Sequence, residues 1–368
     1  MPLANSPSAV LEATTQLLAP LLNTLDALQF AGRHLHPPVL PTLVEHLEPL
    51  QEPLTQARAN FDAMDWPEHL ADFAARLTDC TDNTQASLAA MIDSTEQENP
   101  VFAAYRAMRK TTQARAAIYP LSGIFPPISR FFTSPGVRES ESRSQALADR
   151  LQRSGNPAGA ASGVMHLQNE PTQRGGASLY VPEYYNGEPM PLIVALHGGS
   201  GHGADFLWSW LVAARSLGAI LLSPSSTGET WSIGDPEIDH QHLQGLVRRT
   251  CETYAVDNTK LLLTGMSDGG TFSLLSGLQE DSLATHLAPM AGSFHPMLLE
   301  VAEPGRIREL PVYLVHGALD WMFPVDSARL AANALKGAGV KLEYIELEDL
   351  SHTFPTEQTE LVIDWLLG

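Results

Sequence analysis

Leu261-Leu262-Leu263-Thr264-Gly265-Met266-Ser267-Asp268-Gly269-Gly270 is a short apolar run that stops at a glycine and gives way at once to a helix-compatible segment, Thr271–Gly277. Such a run, bounded by turn signals, reads as a buried strand of a mostly parallel sheet. The junction has the form Gly-x-Ser-x-Gly, a tight strand-to-helix turn with a serine at its tip. Each residue type has a physical reason. A serine hydroxyl is a weak nucleophile until a base can reach it, and a sharp turn exposes it. Gly265 and Gly269 leave room for neighbouring backbone and for the strain of the turn. The helix start behind the serine aims backbone N–H groups at developing negative charge. A glycine-rich turn with an incidental serine fits the same residues, so the rest of the chain must discriminate.

Outward from this stretch, strand and helix patterns alternate. Val164–Leu167 and Ala177–Val181 read as an antiparallel pair, followed by short buried strands at Leu192–Leu196 and Ala219–Ser223. Beyond Leu261–Thr264, further strands are predicted at Leu287–Met290, Val312–Val315 and Leu342–Glu346. Helices are predicted over Phe206–Leu217, Asp239–Tyr254, Thr271–Gly277, Val325–Gly337 and Thr356–Leu367. Parallel strands with helical crossovers make a three-layer α/β sandwich whose sites lie at the carboxyl ends of the strands.

Four groups fall at those ends. His197-Gly198-Gly199-Ser200-Gly201 follows the Leu192–Leu196 strand, and a glycine loop there can offer unshielded N–H groups to an oxyanion. A phosphate cradle would need a lysine and a long helix directly behind the loop, and neither is present. Ser267 is the second group. The third is His316-Gly317-Ala318-Leu319-Asp320, continuing through Trp321-Met322-Phe323-Pro324-Val325, where a carboxylate can orient a histidine and hold its tautomer. The fourth is Asp349-Leu350-Ser351-His352, in a loop before the final helix, where His352 can take a serine proton. The order Ser, Asp, His is the one used by a serine on this kind of turn.

On these residues, the part of the chain from 163 to 368 resembles the α/β-hydrolases. It is most similar to the phospholipase/carboxylesterase, dienelactone hydrolase-like and polyhydroxyalkanoate-depolymerase-like esterases. The resemblance implies a Ser267–His352–Asp320 triad and two-step acyl transfer to water. It also implies an oxyanion hole formed by the backbone N–H of Asp268 and one from Gly198, Gly199 or Ser200. The loop reads His-Gly-Gly-Ser-Gly where many lipases have His-Gly-Gly-Gly, which leaves substrate choice open. The implied reaction is hydrolysis of a small-molecule carboxylic ester without metal or organic cofactor. Thioesterase, amidase and polyester depolymerase are alternatives within enzymes, and a non-catalytic hydrolase-like binding module is the alternative outside them. A histidine base implies activity that rises with pH as histidine loses its proton.

Other residues have plainer readings. His197 and His316 precede glycine at strand ends and read as packing or loop-bracing residues. His295, in Ser293-Phe294-His295-Pro296, is the strongest spare histidine and is a candidate to line the site. Asp349 reads as a loop cap and Asp326 as a helix start. Trp208 and Trp210 read as core, whereas Trp231 and Trp321 are the aromatic candidates for a substrate pocket.

The first part of the chain, residues 1–155, has a different character. It is rich in leucine and alanine at helical spacing, with almost no strand signal and no evident repeat. Ser6–Pro7 offers a helix start, and Leu11, Leu18, Leu21, Leu22, Leu25 and Leu28 recur along one face with a kink expected at Pro20. Further helices are predicted after Pro38–Pro41, from Trp66–Pro67 to Leu77, over Thr84–Asp93, over Val101–Ile118 and over Arg138–Arg153. Residues 119–135 are apolar and punctuated by proline, so a regular helix is excluded there; a strap or lid is predicted, with Ile124–Phe132 near the mouth of the site. Asn156–Gly163 reads as a linker. The expected architecture is therefore an all-helical N-terminal domain or cap, 1–155, followed by the hydrolase domain, 163–368, with homo-oligomerisation through the helical half as a further expectation.

Composition narrows the partners. A formal charge of −20 and a pI near 4.9 argue against a nucleic-acid-binding surface and against adhesion to anionic membranes. Cys80 and Cys251 show no metal-ligand spacing and read as thiols. No early cationic region suggests a Sec signal and no apolar run is long enough to span a bilayer, so a cytoplasmic protein is expected.

Overall fold

The computed structural model describes residues 7–153, 159–170, 172–294, 299, 302 and 304–368. The chain divides into two compact units, Met1–Phe132 and Thr133–Gly368. The helices at 135–152 fall in the second unit, so the division comes earlier than the composition change near residue 155 suggests. The linker Asn156–Gly163 lies partly, and the Ser6 cap wholly, outside the described residues.

The described part of the first unit is helical. Its α-helices are α1 (Pro7–Arg33), α2 (Leu40–Leu47), α3 (Gln51–Asp62), α4 (Ala71–Ile92), α5 (Pro100–Ile118) and α6 (Pro126–Phe131). Helix α1 continues through Pro20, which removes one N–H from its ladder. The predicted helices ending at Leu77 and beginning at Thr84 are one element, α4. No proline or glycine interrupts residues 78–83, and the buried Thr81 and Thr84 hydroxyls donate to carbonyls one turn back. Leu28 of α1, Leu35 of the connection that follows it, and Leu40, Leu43 and Leu47 of α2 close one core with Leu88, Met91 and Ala104. Residues 119–135 are not a single helix, as predicted, but prolines start short helical turns at Tyr119–Gly123, Pro126–Phe131 and Pro135–Glu139. Phe125 stacks on Phe73, with ring centroids 5.0 Å apart, and the fully buried Phe132 meets Tyr119 edge-on at 5.0 Å. Phe132→Ala is therefore expected to cost about 3–5 kcal/mol of stability, whereas the partly exposed Phe131 should tolerate the same change far better. Denaturant unfolding followed by circular dichroism measures both.

The second unit opens with helices α7 (Pro135–Glu139) and α8 (Glu141–Gln152), and α8 is capped by the Ser140 hydroxyl. It then builds one eight-stranded sheet. The strands are β1 (Gly163–Leu167), β2 (Ala177–Val181), β3 (Met190–Leu196), β4 (Ile220–Pro224), β5 (Val256–Met266), β6 (His286–Met290), β7 (Pro311–Gly317) and β8 (Lys341–Leu347). Their spatial order is β1-β2-β4-β3-β5-β6-β7-β8, antiparallel at β1–β2 and β2–β4 and parallel elsewhere. Its helices among the described residues are, further, α9 (Gly203–Leu217), α10 (Glu237–Thr253), α11 (Asp268–Gly277), α12 (Pro304–Ile307), α13 (Val325–Gly337) and α14 (Gln358–Leu367). The central strands read as continuous apolar runs because both faces are covered: Leu192 to Leu196 are all buried.

This is the α/β-hydrolase fold, and its connections set the site. From β3 the chain steps to β4 on one side and returns to β5 on the other, so the loops after β3 and β5 diverge around a crevice at the carboxyl edge. The loops after β7 and β8 reach the same edge. They are laced together by Ala318 N–H to Leu347 C=O and Leu319 N–H to Leu350 C=O, both 2.9 Å. A Cβ at Gly317 would collide with the Leu350 carbonyl, so only glycine permits this approach.

Candidate active site

Ser267 stands between β5 and α11 with φ 56° and ψ −121°, a strained conformation for a residue with a Cβ. The surroundings hold it there. Its N–H donates to the Met290 carbonyl at the end of β6 (3.0 Å), and its carbonyl accepts the Thr271 N–H (2.9 Å). The flanking glycines are required by contact. A Cβ on Gly265 would strike the Gly269 backbone, and one on Gly269 would strike the Leu196 and His197 carbonyls at the end of β3.

His352 Nε2 lies 3.0 Å from Ser267 Oγ, and His352 Nδ1 lies 2.8 Å from Asp320 Oδ2. A carboxylate facing Nδ1 can only accept, so Nδ1 carries the proton and Nε2 is left to accept the serine hydroxyl. Asp320 Oδ1 accepts the N–H groups of Met322 (2.9 Å) and Phe323 (2.8 Å). Burial pushes the Asp320 carboxyl up, but the His352 hydrogen bond and charge, the Phe323 N–H and His316 outweigh it, and the group is held below the ordinary value. All three side chains are nearly buried, which strengthens their mutual interactions. Asp349 is exposed, and the exposed Asp326 binds Arg329 at 2.8 Å.

The loop Gly198–Gly201 lies against the serine turn. A Cβ on Gly198 would sit 3.4 Å from Ser267 Cβ, and one on Gly199 would sit 2.8 Å from the Asp268 carboxylate. Ser200 has φ 54°. The loop closes through Gly201 N–H to Gly198 C=O (3.0 Å). Asp268 is the first residue of α11, where a backbone N–H has no intrahelical acceptor. Its carboxylate accepts the Thr230 hydroxyl at 2.6 Å, a contact between loops that nothing in the local pattern announces.

His197 braces this loop from below. Its Nδ1–H donates to Gly198 C=O (2.7 Å) and its Nε2 accepts the Ser226 N–H (3.1 Å), so the neutral ring is the one that fits. Burial lowers its pKa from 6.5 to about 4, with the Gly198 bond opposing. The sign follows from linkage. Between those values the unfolded chain binds the proton and the folded chain does not, so protonation favours unfolding. Stability present above about pH 6.5 should therefore be lost progressively towards about pH 4, to an extent on the order of 3 kcal/mol. Denaturant midpoints across this window should fall more steeply for the native chain than for His197→Gln; equal slopes would refute the link.

The predicted pocket residues fare differently. Trp231 is buried, donates its Nε1–H to the His197 carbonyl (2.7 Å) and stacks on Phe272 at 5.4 Å, so its indole sits under the loop. Trp321 is 38% exposed, next to Asp320. His295 lies outside the described residues. Trp208 and Trp210 are core. Ser276, His240 and Asp281 form a second Ser–His–Asp alignment, at 2.8 and 2.9 Å, which sequence reading missed because it joins α10 to α11. Ser276 is fully buried within α11. Among the described residues no three His, Cys, Asp or Glu side chains cluster as metal ligands, and no helix is long and apolar enough to cross a membrane.

Residues 237–367, which include Ser267, Asp320 and His352, match the phospholipase/carboxylesterase family model. A curated relative, acyl-protein thioesterase 1 of Gibberella zeae, is 25% identical over 132 residues; the match spans 34% of this chain and about half, 54%, of that protein. Among solved structures, a thermophilic esterase from Thermogutta terrifontis is 18% identical with a TM-score of 0.46, over 56% of this chain and 94% of that one. A thermostable esterase is 21% identical with a TM-score of 0.44, over 55% of this chain and 62% of that one. The second unit of this chain has the α/β-hydrolase fold, and its residues 237–367 match the phospholipase/carboxylesterase family model.

Proposed function

We propose that the protein hydrolyses carboxylic esters by two-step acyl transfer. Ser267 attacks the carbonyl while His352 takes its proton, and Asp320 holds the resulting imidazolium. The tetrahedral oxyanion is received by the N–H of Asp268 and an N–H of the Gly198–Ser200 loop, donors each worth roughly 3 kcal/mol in a comparable enzyme. His352 then returns the proton to the leaving alkoxide. Water, deprotonated by the same histidine, attacks the acyl-enzyme and releases the acid and the free serine. The reading rests chiefly on the unbroken Ser267–His352–Asp320 hydrogen-bond chain at a strained strand-to-helix turn.

A thioester is the second substrate class, favoured by the name of the curated relative. The same steps apply, with a thiolate as leaving group. Incubation with a fluorophosphonate probe tests the nucleophile: stoichiometric labelling at Ser267, lost in Ser267→Ala, is expected, and absence of labelling would favour a non-catalytic binding module. Parallel assays with p-nitrophenyl esters graded by chain length and with acyl thioesters then separate the two substrate classes.

A further inference from the structure

We propose that His316 is a positioning residue for the Asp320 carboxylate, acting through the backbone of Phe323; this rests on Asp320 being the acid of the triad. His316 ends β7 and is fully buried. Its Nε2–H donates to the Phe323 carbonyl at 2.8 Å. The Phe323 N–H in turn donates to Asp320 Oδ1, the oxygen turned away from His352. The Phe323 ring meets the His352 ring edge-on, with centroids 5.3 Å apart. One residue thus touches both the acid and the base, and His316 holds it by its carbonyl.

His316 Nε2 is also 3.5 Å from Asp320 Oδ2, the oxygen bonded to His352. That is too long for a hydrogen bond, yet close enough for the N–H dipole to favour the carboxylate. His316 Nδ1 is buried with no hydrogen-bond partner among the described residues, so the ring is anchored by its Nε2 end. A loop brace would serve with any apolar filler; a donor at this exact reach serves the carboxylate. The other titratable groups around His316 are His352 beyond Asp320 and, across the β7–β8 register, Glu346, which is bound by Arg329 and Tyr344.

Side-chain reach provides the test. Gln places an N–H donor near the position of His Nε2, whereas Asn falls short of the Phe323 carbonyl. His316→Asn is expected to lower kcat roughly 10- to 100-fold through misplacement of the acid, with KM within about twofold. Looser pairing of Asp320 with His352 should also move the acid limb of the kcat/KM profile downward, by about half a pH unit or more. His316→Gln should restore both. Ser267→Ala is the control for the underlying reading: if that variant stays active, the triad is misassigned. If Ser267→Ala is inactive while His316→Asn and His316→Gln behave alike, or His316→Asn loses only melting temperature with an unmoved pH profile, the positioning role is overturned.

Discussion

Ser267→Ala is expected to reduce ester hydrolysis by roughly four to six orders of magnitude without loss of fold. The substitution removes one oxygen. The cost of holding φ at 56° is already borne by a residue with a Cβ, and alanine carries the same burden. The two backbone bonds of Ser267, to Met290 and from Thr271, do not involve its side chain. The hydroxyl's partner is His352 Nε2, so a single side-chain hydrogen bond is at stake. Burst and steady-state kinetics with an activated ester, alongside a melting curve, measure both quantities. His352→Ala should lose activity on the same scale because the serine then has no base. Activity within tenfold of the native protein in either variant would move the nucleophile elsewhere.

Asp320→Asn should lower kcat by about 10⁴-fold, the loss the same exchange causes in a serine protease, and the structure supplies the reason. Met322 and Phe323 N–H groups both point at Oδ1, so the amide oxygen of an asparagine settles there. The amide NH₂ must then face His352 Nδ1. That nitrogen has to accept, the ring proton moves to Nε2, and Nε2 can no longer take the proton of Ser267. Geometry is retained while the tautomer is wrong, so the melting temperature should change far less than the rate. Asp349→Asn, at an exposed position, should be nearly silent. The reverse pattern, a silent Asp320→Asn and a severe Asp349→Asn, would identify the other carboxylate as the acid.

The order of strands and helices after residue 163 was legible because each element carries a complete local pattern. Apolar runs such as Leu192–Leu196 and Leu261–Thr264 stop at glycine, and periodicity resumes behind them. The loops holding Ser267, His197–Gly201, His316–Asp320 and His352 were legible for the same reason, since strand ends in a parallel sheet share one edge. Local pattern was weaker among the N-terminal helices, where α4 runs through a polar stretch that looked like a gap and prolines start short turns rather than ending structure. Tertiary structure alone decided the pairings. Ser267 meets His352 across 85 residues and His352 meets Asp320 across 32, distances over which no sequence period carries information. It also decided that Trp231 packs beneath the His197 loop, that Thr230 meets Asp268, and that His316 holds Phe323. These contacts depend on the side-by-side order of β3, β5, β6, β7 and β8, and on how closely the loops leaving them approach, which glycines such as Gly317 and Gly269 permit only once the sheet has formed.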